Sequence, residues 1–433
     1  VNRMTRLFDE RFCSGLSPWG FVSERTVNQA GFGGTREQQA FEVMGVATLD
    51  YLDLYRKFTH TQRENYRLDH IGHVELGERK LDYSEFGSLH NLWKEDYQKF
   101  IDYNIKDVEI VNRLENKMKL IEMSIVLAYD AKVNYTDVFT QVRMWDTLIY
   151  NELREKNIVL PPKQDRIKNE PYQGAFVKEP VPGMYEWVAS FDLDSLYPHL
   201  IMQYNISFET KVGMTPDIPS VQKMLDREYK LPEGVTVTPN GAMFKTDKQG
   251  FLPEMLQMFY NDRVTFKKKM LETQQLYEKD KDPVLLKQIS YYHNMQMARK
   301  ISLNSAYGAI GNEFFRYYDR DIAEAITMSG QLSVRTAENS INKTMQNMLQ
   351  SESDFVIAAD TDSIYVNCGP LVEKTYEDVP FEPDKDNVDN KKAIVAFLDK
   401  VGDGPFQQVL DKAYQDLYEY TQAYEQKMFM KRE

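Results

Sequence analysis

Cysteine is scarce in this sequence, since its 433 residues include only Cys13 and Cys368. The two form no Cys-x-x-Cys pair, so the sequence predicts neither a disulfide framework nor a zinc knuckle, and a reducing cytoplasm is the expected location. Long hydrophobic runs are also missing: no stretch of about 18 apolar residues occurs, and no secretory signal is evident. The sequence therefore predicts no membrane span and no membrane partner.

Positive charge is in deficit as well. Lysine and arginine together number 53 against 66 aspartates and glutamates, for a net charge of −13. By itself this balance argues against nucleic-acid binding. A catalytic metal site nevertheless concentrates acidic residues locally, and basic residues can be concentrated elsewhere on the chain. The apolar fraction of 42% is enough for a full globular core, and the length suits about two to four domains.

Two carboxylates occupy a predicted tight turn in residues 354–369. Residues 355–359 and 363–367 are apolar and β-prone, which predicts two strands of a buried sheet, and the turn between them carries Asp360 and Asp362. Such a turn usually takes Gly or Asn. Like charges this close repel unless a cation lies beside them, and oxygen ligands at a turn suit Mg²⁺. The alternative is a solvated, Asp-rich turn.

A second predicted strand, residues 187–193, also ends in an acid. Asp192 lies at the end of this strand, and a helix is predicted from Ser195 onward. A strand-to-helix turn offers free backbone N–H groups that can bind phosphates. The alternative is an ordinary helix N-cap. We expect Asp192 to point to the same place as the turn at residues 360–362.

A helical hairpin is predicted between the two acidic segments. Its helices span residues 253–280 and 284–307, and the short turn between them makes the helices antiparallel neighbours. The residues that share faces of these helices are Arg263 and Lys267 on the first, and Lys300, Asn304 and Tyr307 on the second. Solvated helix faces are the alternative. Acids on two strand ends beneath such a cationic hairpin suit two-metal phosphoryl transfer.

The sequence predicts mainly helices for residues 89–156. Residues 89–127 are predicted to be helical, and Tyr103 and Asp107 lie four positions apart on one face. A packed tyrosine beside a solvated aspartate is the alternative. Residues 138–156 predict an amphipathic helix with Trp145 on its apolar side, and the polar, Pro-bounded residues 161–171 are the best linker candidate. Further along the chain, the sequence predicts a hairpin at residues 241–250, a helical region at 314–347 and an acidic surface loop at 376–392.

Three motifs in order carry a family resemblance. The segments DLDSLYP, KISLNSAYGAIGN and ADTDSIYV resemble motifs A, B and C of the family B DNA polymerases. The runs YQGAFVKEP, NDRVTFK and FFRYYDRDIAEAIT are similar to the replicative polymerases of T-even-type bacteriophages. The resemblance runs from about residue 40 to the end. It implies template-directed DNA synthesis, in which a deoxynucleotide passes from a dNTP to a primer 3′-OH by a two-metal mechanism.

The resemblance also implies roles for individual residues. Asp192 and Asp362 would be the catalytic metal ligands, Asp360 an auxiliary acid, and the backbone of Leu193 would complete the metal shell. The implied cofactor is a pair of Mg²⁺ ions, with Mn²⁺ as a substitute. The implied nucleotide-binding residues are Ser195, Leu196, Tyr197, Arg263, Lys267, Lys300, Asn304, Tyr307 and Gly308.

The resemblance implies more specific roles for three tyrosines and two glycines. Tyr197 would stack under the deoxyribose and exclude the 2′-hydroxyl that marks RNA precursors. Tyr307 and Gly308 would line the nascent base pair. Tyr172 and Gly174, in the YQGAFV loop, would contact the template.

The sequence departs from the family pattern upstream. YNIKDVE resembles the third motif of the 3′–5′ exonuclease, in which Tyr103 would orient the water and Asp107 would hold a metal. The first two exonuclease motifs are not recognisable in residues 1–90, so the proofreading site is expected to be incomplete in this chain. In motif A, Asp194 and His199 replace small polar residues, and Asp194 could perturb metal binding.

The expected architecture is α+β. It comprises the C-terminal part of an RNase-H-like α/β exonuclease domain (1–165), a palm with an antiparallel sheet backed by helices (166–250 and 313–433) and helical-hairpin fingers (251–312). Both chain ends look cut from something longer, because the family's thumb and last palm segment would follow.

Primer–template DNA and a dNTP are the expected partners, and a sliding clamp or a second chain carrying the thumb are further candidates. One alternative function is an inactive or split-polymerase fragment that binds DNA or nucleotide and needs a partner chain. The other is a two-metal nuclease, which would have no use for Tyr197, Asn304 or a triphosphate clamp.

Overall fold

Helices outnumber strands in the computed structural model, which describes residues 14–31, 34–59, 61–163, 171–376 and 388–433. The sheets are antiparallel, so the predicted α+β class is confirmed. The chain divides into two compact units, Val1–Glu152 and Leu153–Glu433. Among the described residues, no helix combines the length and the hydropathy that a membrane span requires.

The first unit is a strand hairpin followed by helices. Its strands and helices are β1 Val22–Gly31, β2 Gly34–Val43, α1 Tyr51–Phe58, α2 Leu68–Leu76, α3 Leu89–Glu95, α4 Tyr97–Met118, α5 Leu120–Ala131 and α6 Gln141–Glu155, with 3₁₀ turns at Ser84–Phe86 and Tyr135–Phe139. Helix α6 runs a few residues past the boundary between the units.

The helical prediction for residues 89–127 is confirmed in type, but the stretch is divided into three helices. Asp96 starts α4, because its carboxylate accepts a 2.9 Å hydrogen bond from the Lys99 N–H as an N-cap. Lys119 ends α4 in a left-handed conformation with φ of 56°. Trp145, on the apolar side of α6, is buried.

The second unit holds the candidate site. Its elements are β3 Val177–Lys178, β4 Val188–Leu193, α7 Leu196–Gln203, β5 Lys211–Met214, α8 Val221–Leu225, β6 Val235–Val237, β7 Ala242–Lys245, α9 Phe251–Asp280, α10 Pro283–Ile310, α11 Arg320–Leu349, β8 Val356–Asp360, β9 Ser363–Asn367, α12 Gly369–Tyr376, α13 Val388–Val401, α14 Gln407–Thr421 and β10 Met430–Arg432. A π-helical turn at Gly402–Phe406 joins α13 to α14.

An antiparallel sheet of five strands, in the order β10-β4-β9-β8-β3, forms the centre of the second unit. Phe191 and Leu193 on β4 are buried, as are Ile364 and Val366 on β9. The predicted strands at 187–193 and 363–367 are confirmed to within one residue. The strand predicted at 355–359 is shifted by one residue, so Asp360 belongs to β8 rather than to the turn.

The prediction of a hairpin at residues 241–250 is wrong. Only Ala242–Lys245 is a strand there, and it pairs with the preceding strand, Val235–Val237. The chain reverses at Asn240 and Gly241 instead, where Gly241 has φ of 91° and the Asn-Gly pair supplies the turn. Residues 246–250 lead directly into α9.

The predicted helical hairpin is confirmed, and both helices are longer than expected, with 30 and 28 residues. Lys281 ends α9 in a left-handed conformation, and Asp282 caps α10 by accepting a 2.9 Å hydrogen bond from the Val284 N–H. Pro283 follows at the first helical position, which its fixed φ suits.

Three boundary predictions need correction or lie outside the described residues. Helix α11, expected from residue 314, begins at Arg320, because Asp319 caps it by accepting from two backbone N–H groups. The prediction of an acidic loop at 376–392 is wrong for residues 388–392, which belong to α13. Residues 377–387 lie outside the described part of the chain. Most of the predicted linker, residues 164–170, also lies outside it, as does Cys13.

Candidate active site

Two aspartates from distant parts of the sequence meet at one end of the five-stranded sheet. Asp192 lies at the end of β4, and Asp362 lies in the turn between β8 and β9. The antiparallel register sets Asp192 opposite Ser363, and the Leu193 N–H donates a 2.9 Å hydrogen bond to the backbone oxygen of Asp362. The backbone of the sheet therefore makes the two acidic residues neighbours.

The tight turn between β8 and β9 presents Asp362. Thr361 adopts a left-handed conformation with φ of 50°, and its N–H donates to the Phe176 oxygen at 2.9 Å. The Asp362 N–H donates to the Asp360 oxygen at 2.5 Å, and the Ser363 hydroxyl donates to the same oxygen at 3.2 Å. These bonds hold the turn in one conformation.

One strand, β9, separates Asp360 on β8 from Asp192 on β4. It pairs with Ser363, which in turn pairs with Asp192. Directly opposed residues share a face of the sheet, and neighbouring strands lie about 4.8 Å apart, so the Cα atoms of Asp360 and Asp192 are separated by roughly 10 Å. Asp360 is exposed and accepts a 3.0 Å hydrogen bond from the Thr361 hydroxyl. This position suits a smaller role than that of Asp362.

The electrostatics of the site favour a bound cation. Burial, reinforced by the negative charge of Asp362, raises the pKa of Asp192 from 3.8 to about 6. Burial also raises the pKa of Asp362, and the charges of Asp360 and Glu433 act in the same direction. Neighbouring carboxylates that resist joint ionisation are stabilised by a cation that neutralises both.

The donor set of the site fits a hard divalent cation. Asp192 and Asp362 supply carboxylate oxygens, and the carbonyl of Leu193 is a further oxygen on the same strand end. In the described ranges, no group of three or more His, Cys, Asp or Glu side chains is arranged to hold a metal ion. Mg²⁺ is typically held by one or two carboxylates together with waters and substrate phosphates, so this set suits Mg²⁺ better than a metal that needs a full side-chain cage.

The raised pKa of Asp192 makes the metal-free stability depend on pH. Because the folded protein holds this proton more tightly than the unfolded chain does, the contribution of Asp192 to stability is greatest below about pH 4 and is lost as the pH rises through about 6. Asp192→Asn should therefore raise Tm in EDTA by about 2 °C at pH 8 and leave it unchanged at pH 4.

Differential scanning fluorimetry at both pH values measures this effect. Asp247→Asn is the matched control, since Asp247 is an exposed carboxylate on the loop after β7. Saturating Mg²⁺ should cancel the gain at pH 8, because only the wild type then gains a ligand interaction. An equal Tm change at pH 4 and pH 8 would contradict the assignment of the pKa shift to Asp192.

The turn between β4 and α7 offers a phosphate-binding surface. Ser195 caps α7 in a left-handed conformation with φ of 51°, and Leu196, which begins the helix, is buried. The first N–H groups of a helix lack intrahelical partners and attract anions. Arg263 on α9 reaches this turn, donating a 3.1 Å hydrogen bond from Nη1 to the Ser195 hydroxyl.

The other predicted cationic residues of the hairpin do not contact the acids. Lys267 is exposed and Lys300 is half-buried, and neither ammonium forms an ion pair with any other residue in the described part of the chain. Asn304 is exposed on α10. The structure thus brings Arg263 to the β4–α7 turn and leaves Lys267, Lys300 and Asn304 at other points of the hairpin surface.

The aromatic residues predicted to contact nucleotide and template form one cluster. Tyr197 and Tyr307 pack with ring centroids 4.5 Å apart at an interplanar angle of 37°. The hydroxyl groups of Tyr307 and Tyr172 are 3.1 Å apart. A Cβ atom at Gly311 would lie 2.6 Å from the Tyr172 hydroxyl, so a larger residue there would require the Tyr172 side chain to move. Gly308 is exposed on α10 beside this cluster.

Hydrogen bonds to α11 hold the predicted template loop. The Gln331 side chain donates to the Gly174 oxygen at 2.7 Å, and the Thr327 hydroxyl donates to the Gln173 oxygen at 2.6 Å. With Tyr172 packed against α10, the loop is fixed at both of its predicted contact residues.

Sequence reasoning missed Tyr260, which links Asp194 to the hairpin. The Tyr260 hydroxyl donates a 3.1 Å hydrogen bond to Asp194, and His199 packs edge-to-face on the Tyr260 ring at 4.6 Å. Burial raises the pKa of Asp194, but the positive charge of Arg263 and the Tyr260 hydrogen bond outweigh it and lower the pKa overall. The spacing of Tyr260 and Arg263, three residues apart on α9, is the only sequence signal of this pairing.

The predicted exonuclease residues also share a face, as their spacing implied, and Lys80 is their partner. Tyr103 is buried, and Lys80 Nζ lies 2.7 Å from Asp107 Oδ2 and 4.7 Å from the centre of the Tyr103 ring. The second carboxylate oxygen of Asp107 is buried without a hydrogen-bond partner among the described residues. A lysine therefore occupies one side of the carboxylate that was expected to hold a metal.

Comparisons with known proteins identify the family to which the chain is similar. The family model described as DNA polymerase family B matches residues 136–379. The DNA-directed DNA polymerase of Escherichia phage RB69 is 32% identical across the whole chain, and that of Enterobacteria phage T4 is 30% identical across the whole chain. The match covers 51% of each phage protein, so the chain spans about half the length of these relatives.

More distant similarity extends to cellular proteins. The DNA polymerase delta catalytic subunit of Glycine max is 29% identical over 78% of this chain and 30% of its own length.

Proposed function

The chain belongs to DNA polymerase family B, and on that premise we propose that it carries out template-directed DNA synthesis, transferring a deoxynucleotide from a dNTP to a primer 3′-OH. The observation that supports this function best is the proximity of Asp192 and Asp362 at the end of the sheet, where the Leu193 N–H donates to the Asp362 oxygen and Arg263 donates to the Ser195 hydroxyl at the start of α7. Carboxylates, free helix N–H groups and a fixed guanidinium are the groups that phosphoryl transfer requires.

Each acid has a defined part in the proposed reaction. Asp192, Asp362 and the Leu193 carbonyl would hold divalent cations, as a pair of Mg²⁺ ions with Mn²⁺ as a substitute, and Asp360 would act as an auxiliary acid. Bound metal ions would neutralise the charge that develops on the attacking and leaving oxygens. The sheet backbone fixes the two ligand strands before any ion binds, which limits the reorganisation that binding costs.

The triphosphate would lie between the β4–α7 turn and the hairpin. The N–H groups at Ser195 and Leu196 and the guanidinium of Arg263 would bind phosphate oxygens from one side. Lys267, Lys300 and Asn304 would approach from the hairpin surface when nucleotide is bound. The lack of an ion-pair partner for either lysine among the described residues supports this role, since a phosphate would then face no competing carboxylate.

The aromatic cluster would hold the sugar and the nascent base pair. Tyr197 would stack under the deoxyribose, and Tyr307 and Gly308 would line the base pair. Tyr172 and Gly174 would contact the template, and the hydrogen bonds that fix their loop support a constant template position.

We assign the domains accordingly as part of the proposal. Residues 166–250 and 313–433 would form the palm, 251–312 the fingers and 1–165 the C-terminal part of an exonuclease-like domain. Primer–template DNA and dNTP are the proposed partners, with a sliding clamp or a second chain carrying a thumb as further candidates. Since the site is built for solution substrates of replication, a cytoplasmic location is also proposed.

Primer extension tests the proposed function. The chain is incubated with a labelled primer–template, one dNTP at a time and Mg²⁺, and extension by the templated nucleotide alone is expected. A protein that binds the primer–template without extending it under Mg²⁺ or Mn²⁺ would instead act as a binding module, and the proposed activity would be wrong for this chain.

The Lys80–Asp107 pair predicts that the chain does not proofread. Because a lysine already neutralises Asp107, the carboxylate has little remaining attraction for a divalent cation. A primer with a mismatched 3′ end should lose no nucleotides above the buffer background, and Asp107→Asn should change nothing. Mg²⁺-dependent loss of 3′ nucleotides that Asp107→Asn abolishes would contradict this and would favour a nuclease function.

A further inference from the structure

The carboxylate of Asp194 faces the helical hairpin. Asp194 follows β4, and its Oδ1 accepts a 3.2 Å hydrogen bond from the Ser195 hydroxyl. Its Oδ2 accepts a 3.1 Å hydrogen bond from the Tyr260 hydroxyl, and Arg263 Nη1 lies 3.7 Å from Oδ1. Both oxygens are thus engaged with groups that surround the proposed triphosphate site.

Arg263 is the more firmly held member of this ion pair. Its side chain is only 14% exposed, whereas that of Asp194 is 55% exposed. The guanidinium also donates to the Ser195 hydroxyl, and Arg263 Nε is buried without a hydrogen-bond partner among the described residues. The carboxylate can therefore move into solvent at lower cost than the guanidinium can move away.

Asp194 distinguishes Arg263 from the other proposed phosphate-binding cations. Lys267 and Lys300 form no ion pair within the described ranges, so Arg263 alone of these three has a carboxylate beside it. A phosphate that approaches Arg263 meets a negative charge already in place.

We propose that Asp194 is an internal anion that holds Arg263 in position when nucleotide is absent, and that the triphosphate of an incoming nucleotide must displace it. This rests on the proposed function, because it assumes that Arg263 binds the triphosphate. Asp194 acts through Arg263 and sets the affinity of the site for phosphate. The carboxylate keeps the guanidinium oriented in the free protein and competes electrostatically with the ligand for its positive charge.

Titration of the whole chain with inorganic tripolyphosphate in EDTA tests this competition. Asp194→Asn should tighten tripolyphosphate binding by about three- to tenfold, since it removes a negative charge that repels the phosphate and partly neutralises Arg263. The same substitution should lower Tm slightly, because the folded protein loses part of the contact with Tyr260 and Arg263. A residue with a merely structural role would weaken binding as it weakened the fold.

Asp262→Asn is the matched control. Asp262 lies on the same helix and pairs with Arg299 at 3.1 Å, so its substitution also removes a carboxylate from beside a guanidinium, but one without a proposed phosphate role. Its tripolyphosphate affinity should stay within about twofold of the wild type, the range that screened charge effects allow. Equal gains in Asp194→Asn and Asp262→Asn would overturn the proposal.

An Arg263→Gln background identifies the cation that is released. In the Arg263→Gln background, Asp194→Asn should no longer tighten tripolyphosphate binding. Loss of measurable binding in both proteins that carry Arg263→Gln would agree with this expectation. A gain that persists without Arg263, or affinity in Asp194→Asn that is equal to or weaker than wild type, overturns the proposal. Primer extension is scored separately: if the wild type extends no primer while the tripolyphosphate results hold, the proposed function fails and the competition at Arg263 stands.

Discussion

Replacing Asp362 with asparagine is expected to lower the rate of nucleotide incorporation by about a thousandfold or more, which corresponds to roughly 4 kcal/mol of lost transition-state stabilisation. The substitution keeps the size of the side chain but removes one of the two carboxylates at the end of the sheet. Because Asp362 lies in a turn held by main-chain hydrogen bonds, the backbone should stay in place. The loss would then be one of charge and not of fold.

Single-turnover primer extension at saturating dNTP and Mg²⁺ measures this rate. Asp360→Asn is the control, since β9 separates Asp360 from Asp192. This substitution should lower the rate of incorporation by about tenfold or less. Both variants should keep the wild-type Tm in metal-free buffer to within a few degrees. Incorporation by Asp362→Asn within tenfold of the wild type would remove Asp362 from the site.

Substituting Tyr197 by alanine is expected to have the second large effect, a loss of about a hundredfold in selectivity for dNTP over rNTP. The Tyr197 ring is braced by Tyr307 at 4.5 Å, so it cannot easily move aside for an additional hydroxyl. Its removal leaves space where the 2′-hydroxyl of a ribonucleotide would lie. A well-packed ring in a fixed position can discriminate by steric exclusion alone, without a hydrogen bond.

The measurement is the ratio of kcat/KM for a dNTP to that for the matching rNTP. Tyr197→Phe keeps the ring and removes only the hydroxyl, so its ratio should match that of the wild type. If Tyr197→Ala discriminates as well as the wild type, the sugar gate must be another residue. If Tyr197→Phe alone loses selectivity, a hydrogen bond rather than the ring is responsible.

The sequence predicted those parts of the fold that local patterns determine. The apolar, β-prone stretches ending at Asp192 and flanking Asp362 predicted the strands, and their adjacency followed once both acids were assigned to strand ends. The hairpin was predicted because two helical stretches flank a short turn at residues 280–283, which makes the helices antiparallel neighbours. The division of the N-terminal helical stretch at Lys119 was missed, since a left-handed lysine has no recognisable local signature.

Contacts between distant segments were the parts that the sequence could not supply. Lys80 contacts Asp107 from another element, and Tyr260 reaches Asp194 from α9. No spacing rule connects such pairs, because their proximity depends on how whole elements pack. The prediction of a hairpin at residues 241–250 failed for a different reason: Gly241 was taken as the start of a hairpin, whereas it lies in the turn that joins β6 to β7, and these two strands pair with each other.

Bulk charge was a poor guide to the site. The net charge of −13 argued against a polyanionic partner. The hairpin nevertheless carries Lys267 and Lys300 without ion-pair partners among the described residues, and Arg263 lies beside the acids. The proposed recognition of phosphates would depend on this local field rather than on the total charge.

Mn²⁺ binding shows whether Asp192 and Asp362 jointly hold divalent cations. Electron paramagnetic resonance counts the Mn²⁺ ions bound per chain in the presence of a dNTP and a primer–template that lacks a 3′-OH. We expect two bound ions in the wild type, fewer in both Asp192→Asn and Asp362→Asn, and the wild-type number in Asp247→Asn. Wild-type stoichiometry and affinity in both substituted proteins would contradict it.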